Sequence, residues 1–145
     1  MTKHELNTYL DQLYKESKEA AEKGEVPVSA LLVLPDKSII LKSNQVEEKN
    51  DPFSHAEYDI IREGMERMGS RYLTDTILIV TLEPCLFCLG AILKAGIHEL
   101  YYILDDEKMG SLSHYHAFVD DRLHVHRIKD ERFKPIMDEF FKKLR

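Results

Sequence analysis

The chain has 145 residues, enough for one ordinary domain whose hydrophobic core needs neither disulfides nor a metal in order to fold. With 43% hydrophobic and 32% charged residues, its composition is typical of a soluble globular protein and argues against a disordered or membranous chain. The net charge of −6 argues against broad nonspecific attraction to nucleic acid or anionic membranes. We therefore predict a single domain over residues 1–145.

The N-terminus and the cysteine content indicate the compartment. Residues 1–5 lack the charged and then apolar pattern of a secretory signal, and no apolar run approaches the length of a bilayer span. We expect a cytoplasmic protein without membrane contact, in which the thiols of Cys85 and Cys88 stay reduced. Two reduced cysteines three residues apart favour metal binding or catalysis.

The first half of the chain predicts a helix and then a hairpin. Thr2 and Glu5 have capping-box spacing, and apolar residues recur from there at helical intervals until Gly24 supplies a stop. An apolar, β-branched run over 28–34 and an extended pattern over 38–43 are separated by a turn signal.

The second half alternates helices with strands. Periodicity predicts helices over 54–69, 85–95 and 133–144, strands over 76–81, 98–104 and 123–128, and a short helix near 114–119. Apolar residues surround the axis of the 85–95 helix, so we expect it inside the protein. The connection after residue 104 is long enough to join parallel strands. This order predicts an α/β fold, in which helices cover both faces of one mixed sheet.

Four residues in two separate segments carry the chemistry. His55-Ala56-Glu57 opens a predicted helix, and Pro84-Cys85-Leu86-Phe87-Cys88 opens another after a strand. One imidazole and two thiolates at His55, Cys85 and Cys88 leave the fourth position of a zinc ion open for water, as in catalytic zinc sites. Glu57, which is not a ligand, would then carry the proton as general base and acid. This pattern predicts one catalytic zinc ion per chain.

Each segment taken alone has another interpretation. Ser54 and Glu57 also have capping-box spacing, which usually marks a helix start. A Cys-x-x-Cys pair that opens a helix after a strand is also the arrangement of thioredoxin-like redox proteins. The conjunction favours zinc, because His-x-Glu followed by Pro-Cys-x-x-Cys is the signature of zinc deaminases.

Five further histidines invite a second-metal hypothesis. None of them has an acidic or cysteine partner at clear ligand spacing, so we predict pH-sensitive surface or interface residues instead. They are His98, His114, His116, His124 and His126.

With these residues placed, the chain resembles the cytidine deaminase-like superfamily, and within it the bacterial tRNA adenosine deaminases. The resemblance extends from about residue 25 to residue 112. It rests on Glu25-Val26-Pro27-Val28, Asn44, Asp51-Pro52 before His55-Ala56-Glu57, Thr81-Leu82-Glu83-Pro84-Cys85, Cys88 with Gly90-Ala91, and Gly110-Ser111-Leu112.

The resemblance implies a zinc-dependent enzyme that deaminates adenosine to inosine at the wobble position of a tRNA anticodon. It also implies a homodimer with a three-layer α/β/α sandwich and a central five-stranded mixed sheet. The substrate-binding residues that it implies are Asn44, which would hydrogen-bond the nucleotide, and Val28, Ala56 and Pro84, which would line the base pocket.

Other substrates and roles stay open at this point. The segments 45–51 and 104–109 are acidic, and carboxylates near the site would weaken RNA binding, which favours a free base or nucleoside such as guanine, cytosine or cytidine. Val28 is also typical of strand core, and Asn44 of a turn at the end of a strand. A noncatalytic RNA-binding or regulatory protein is a further alternative, against which Glu57 argues.

Overall fold

The computed structural model describes residues 1–114 and 121–144 of the chain. Five strands form one sheet, and helices lie on both of its faces. The elements in chain order are α1 (Lys3–Glu22), β1 (Ser29–Val33), β2 (Ile39–Ser43), α2 (Val46–Lys49), α3 (Ala56–Met68), β3 (Ile77–Leu82), α4 (Leu86–Lys94), β4 (Glu99–Leu104), α5 (Ser111–His114), β5 (His124–Arg127) and α6 (Phe133–Lys143).

Helix α1 begins at the predicted capping box. The Thr2 hydroxyl accepts the Glu5 N–H, and the Glu5 carboxylate accepts the Thr2 N–H, each at 3.0 Å. Together these bonds satisfy two backbone donors that the first turn would otherwise leave open. The chain leaves the helix through Gly24, whose φ of 82° is in the left-handed region that glycine adopts without strain.

The sheet has the strand order β2-β1-β3-β4-β5. Strand β1 is antiparallel to both β2 and β3, whereas β3, β4 and β5 run parallel to one another. The predicted parallel crossover after β4 is therefore confirmed. This topology brings the start of β1, the end of β2 and the carboxyl ends of β3 and β4 to one edge of the sheet.

Alternate residues of β1 face the two helical layers, which confirms the three-layer α/β/α sandwich. Leu31 and Val33 belong to one buried cluster with residues of α1 and α6. Ala30 and Leu32 belong to the other, together with residues of α3 and α4. All five positions of β1 are buried, as expected for a strand covered on both faces.

A buried serine fixes β1 between α1 and β3. The Ser29 hydroxyl donates to the Leu13 carbonyl at 2.9 Å and lies 2.8 Å from the Ser17 hydroxyl. Its N–H donates to the Thr81 hydroxyl at 3.0 Å. The buried hydroxyl and N–H of Ser29 are therefore both hydrogen-bonded, and these bonds keep the start of β1 in place.

The structure differs from the sequence predictions at three places. Helix α2 lies in a segment that was not predicted to be helical. Helix α5 lies at Ser111–His114, where no helix was predicted to begin, whereas the short helix predicted near 114–119 lies outside the described residues from 115 onward. The prediction that α4 is enclosed is wrong for the single chain, because Leu86 and Phe87 are 47% and 44% exposed. Within the described ranges, no helix has the length and apolar content needed to cross a bilayer.

Candidate active site

Two helix N-termini bring the three predicted ligands together at one edge of the sheet. His55 is the N-cap residue of α3 and Cys85 that of α4, both with extended backbone and neither with a side-chain capping bond. Cys88 lies in the first turn of α4 and is fully buried. The positive end of a helix stabilises nearby thiolates, so this position suits anionic sulfur ligands.

The donor atoms converge to a spacing that fits a tetrahedral ion. The His55 Nδ1 atom is 3.5 Å from the Cys88 Sγ atom and 3.9 Å from the Cys85 Sγ atom. All three donor atoms lie within 4.8 Å of one another. Zinc bonds of about 2.3 Å to sulfur and about 2.0 Å to nitrogen, at tetrahedral angles, would place the two kinds of atom about 3.5 Å apart. The site therefore fits a zinc ion in both donor type and spacing.

Hydrogen bonds join the two thiols and the imidazole, and a bound cation would replace the protons in them. A hydrogen bond with Cys88 lowers the pKa of Cys85 to about 4, while that bond and burial raise the pKa of Cys88. The hydrogen bond with Cys85 raises the pKa of His55. The Cys85 sulfur thus holds negative charge beside the protonated Cys88 and His55 side chains. A metal ion that binds these three groups displaces their protons.

The Glu57 carboxylate lies beside these three residues but is not one of the potential metal ligands. Its side chain is only 4% exposed, and its Oε1 atom has no hydrogen-bond partner among the residues that the structure describes. Burial raises the pKa of Glu57 to about 7. A carboxyl group that titrates near neutral pH can both accept and release a proton there.

The capping-box alternative for Glu57 is wrong. The N-cap residue of α3 is His55, one residue later than that alternative requires. The Ser54 hydroxyl instead donates to the Asp59 carboxylate at 2.6 Å. Glu57 therefore has no part in capping with Ser54.

The predicted substrate-binding residues lie next to the donor group. The Asn44 side-chain oxygen accepts the Ala56 N–H at 2.8 Å, and the Asn44 N–H donates to the Val28 carbonyl at 3.0 Å. Val28, Ala56 and Pro84 are buried, and the first two are part of the hydrophobic core. The Asn44 amide nitrogen still has two N–H donors to offer. Contact of these four residues with a substrate stays a prediction.

A second buried carboxylate fixes the loop on the other side of the site. Glu83 is buried, and its Oε1 atom accepts the Asp106 N–H at 3.0 Å. The Ser111 N–H and hydroxyl both donate to the Pro84 carbonyl, at 2.9 Å and 2.6 Å. A side chain at Gly110 would collide with the Asp106 carbonyl and the Glu83 carboxyl group. The loop after β4 is thus packed tightly against the segment that carries Cys85.

Sequence reasoning missed these loop contacts and the acidic partner of two histidines. The two pairs that fix the loop after β4 are 23 and 27 residues apart, so no local motif indicates them. The Glu99 carboxylate lies 2.8 Å from His124 Nδ1 and 2.9 Å from His126 Nε2, a cross-strand contact that follows from the pairing of β4 with β5.

The remaining histidines are consistent with surface roles. His98 Nδ1 lies 2.8 Å from the Arg122 carbonyl. In the described ranges, His55, Cys85 and Cys88 are the one group of three or more potential ligands that converges on a metal-sized space. The side chain of His114 and the whole of His116 lie outside the described residues.

Comparisons with known proteins agree with this geometry. The model of the MafB19-like deaminase family matches residues 4–145. The tRNA-specific adenosine deaminase of Aquifex aeolicus (strain VF5) is 37% identical in an alignment of 142 positions that covers 94% of this chain and 94% of that protein.

Two solved structures are also similar. One comes from studies of A-to-I editing by tRNA:A34 deaminases at the wobble position, with a TM-score of 0.76 and 35% identity over 86% of this chain and 99% of that one. The other is the guanine deaminase of Bacillus subtilis, with a TM-score of 0.64 and 32% identity over 72% of this chain and 66% of that one. The chain therefore belongs to the MafB19-like deaminase family and, with it, to the cytidine deaminase-like superfamily.

Proposed function

We propose that the protein is a zinc-dependent deaminase that converts adenosine to inosine at the wobble position of a tRNA anticodon. The observation that carries the proposal is the convergence of His55, Cys85 and Cys88 beside the buried Glu57 carboxylate. The substrate follows from relatives, since a tRNA-specific adenosine deaminase is 37% identical over nearly the whole chain.

One zinc ion per chain would be held by His55, Cys85 and Cys88. When bound, it would act as a Lewis acid that lowers the pKa of a water molecule, so that hydroxide is available as the nucleophile near neutral pH. Glu57 receives the proton that this water loses as its oxygen adds to C6 of adenine. The same carboxyl group would pass that proton to ring nitrogen N1, and would then take the second proton of the added oxygen and pass it to the amino group, which leaves as ammonia while the carbonyl of inosine forms. Burial of Glu57 keeps bulk water away from its Oε1 atom, so these transfers stay within the site.

The position of Asn44 supports a role in holding the nucleotide. Its side-chain oxygen is already used by the Ala56 N–H, so only its amide N–H groups are available to a substrate. In an Asn44→Asp variant the oxygen would still accept that N–H, but the amide donors would be lost. We expect KM to rise about 3- to 10-fold with little loss of stability, whereas Asn44→Ala should also lower the free energy of unfolding by about 1 kcal/mol.

Steady-state deamination and urea unfolding of both variants check this prediction. If the aspartate variant has the wild-type KM, Asn44 does not contact the substrate.

Deamination of a free base or nucleoside is the second candidate function. It is favoured by the match to a guanine deaminase and by the acidic segments 45–51 and 104–109, which flank the site. The proposal is tested by incubating zinc-loaded protein with a wobble-adenosine anticodon stem-loop RNA and, separately, with guanine, cytosine and cytidine. We expect inosine in the RNA and no ammonia from the free compounds. Ammonia from the free compounds alone would overturn the tRNA assignment, and full zinc without any deamination would favour a noncatalytic protein.

We further propose that the protein is a homodimer that acts in the cytoplasm, where tRNA is available and thiols stay reduced. The exposed apolar side chains Tyr72, Leu86 and Phe87, on or next to α4, support the presence of a second copy on this surface. Light scattering should then give twice the chain mass of 16.9 kDa. A mass of one chain at micromolar concentration would contradict the dimer.

A further inference from the structure

A buried carboxylate that takes no part in the proposed chemistry lies between the end of α1 and the start of α2. Glu25 is 3% exposed, and its two oxygens accept the backbone N–H groups of Glu47 and Glu48 at 2.9 Å and 2.8 Å. The Glu25 N–H itself donates to the Ala20 carbonyl at 3.0 Å. Glu25 is therefore joined to the end of α1 by its backbone N–H and to the start of α2 by its carboxylate.

Glu25 supplies what the N-cap residue of α2 does not. Gln45 is that N-cap residue, and its side chain makes no capping bond. Glu47 and Glu48 are the second and third residues of the helix, whose N–H groups an N-cap side chain normally satisfies. Hydrogen bonds from backbone N–H groups to a carboxylate are among the strong ones, which offsets the burial of the charge. The single turn of α2 thus depends on a residue more than twenty positions away.

Helix α2 belongs to a closed segment that connects Asn44 to His55. The Gln45 N–H donates to the Ser54 carbonyl at 3.0 Å, which joins the two ends of the segment 45–54. Asn44 directly precedes this segment and His55 directly follows it. The orientation of the Asn44 amide and the start of α3 are therefore coupled to the position of α2, and through α2 to Glu25.

We propose that Glu25 is a positioning residue for substrate binding, which holds the segment 45–54 and thereby the Asn44 amide in place without touching the base or the metal. This inference rests on the proposed deaminase function. It deepens that function by assigning a buried acid group to substrate affinity rather than to proton transfer. It also separates Glu25 from Glu57, the other buried acid group on this side of the site.

A Glu25→Gln variant tests the proposal, because the amide keeps one acceptor oxygen but turns an N–H group toward the second backbone donor. With wobble-adenosine stem-loop RNA, we expect KM to rise at least 10-fold, kcat to stay within 3-fold of wild type, and zinc to stay at one per chain. Glu22→Gln, an exposed substitution at the end of α1, is the matched control and should leave all three values unchanged. Wild-type KM in Glu25→Gln, or a fall in kcat and zinc content without a change in KM, would overturn the proposal.

Amide hydrogen exchange gives a second readout that needs no activity. In Glu25→Gln the amides of residues 45–51 should exchange at least 10-fold faster than in wild type, while those of α1 and α3 keep their rates. Unchanged exchange in 45–51, or faster exchange over the whole chain, would show a role other than positioning. If the wild-type protein deaminates nothing, the proposed function fails, and the exchange experiment still decides whether Glu25 holds this segment.

Discussion

A Glu57→Gln variant is expected to bind zinc like the wild-type chain and to lose deamination by about 10²- to 10⁴-fold. Glutamine has nearly the shape of glutamate, so it fits the buried position, but it cannot take a proton from water or return one to the base. The Oε1 atom of Glu57 has no hydrogen-bond partner within the described residues, so the substitution breaks no hydrogen bond of that atom. The loss should therefore appear in the chemical step.

Single-turnover inosine formation and metal analysis on the same sample check this result. Glu66→Gln is the matched control, because Glu66 lies on the same helix but is exposed, and it should deaminate at the wild-type rate. Deamination by Glu57→Gln within 3-fold of wild type would show that another group carries the proton.

Replacing Cys88 by serine is expected to remove the metal and the activity together. Cys88 is fully buried, and its Sγ atom is the sulfur nearer to His55 Nδ1. A serine hydroxyl is a hard donor that stays protonated near neutral pH, whereas zinc bound by imidazole and thiolates favours soft anionic sulfur. We expect less than a tenth of a zinc ion per chain after dialysis and deamination at background.

The control for this variant is Ile92→Val, a buried substitution one turn further along α4 that should cost about 0.5–1.5 kcal/mol of stability and leave the metal bound. Measuring the zinc content and the thermal unfolding of both variants separates loss of the ligand from loosening of the helix. Cys88→Ser with a full complement of zinc would contradict the assignment of Cys88 as a ligand.

The parts of the fold with a local pattern could be predicted from the sequence. Helix α1 begins at the Thr2 capping box, and the buried strand β3 lies within one residue of its predicted bounds. The parallel pairing of β4 and β5 followed from the length of the connection between them. Each of these depends on neighbours in sequence or on simple chain geometry.

Features that depend on distant partners could not be predicted in this way. Helix α2 has a single turn and no side-chain cap of its own, so its stability comes from Glu25. The exposed face of α4 follows from the sheet order rather than from its own hydrophobicity, which suggested full burial. In the same way, the acidic partner of His124 and His126 became visible only when β4 and β5 were aligned.

The candidate site likewise has parts that a local motif predicts and parts that depend on distant partners. The signature residues His55, Glu57, Cys85 and Cys88 were identified because their types and spacing are specific to one chemistry. Their convergence, and the support from Glu83 and Ser111 behind Cys85, depends on which strands are neighbours in the sheet. The substrate side is the least determined by sequence, since Val28 and Ala56 also serve as core residues.

One zinc ion should lie between His55, Cys85 and Cys88. Anomalous diffraction from crystals of the purified protein, recorded on both sides of the zinc absorption edge, locates such an ion without reference to activity. We expect a single strong peak per chain, about 2.0 Å from His55 Nδ1 and about 2.3 Å from both Sγ atoms. The absence of a peak there in zinc-replete protein, or a disulfide between Cys85 and Cys88 in its place, would show that these three residues do not form a zinc site.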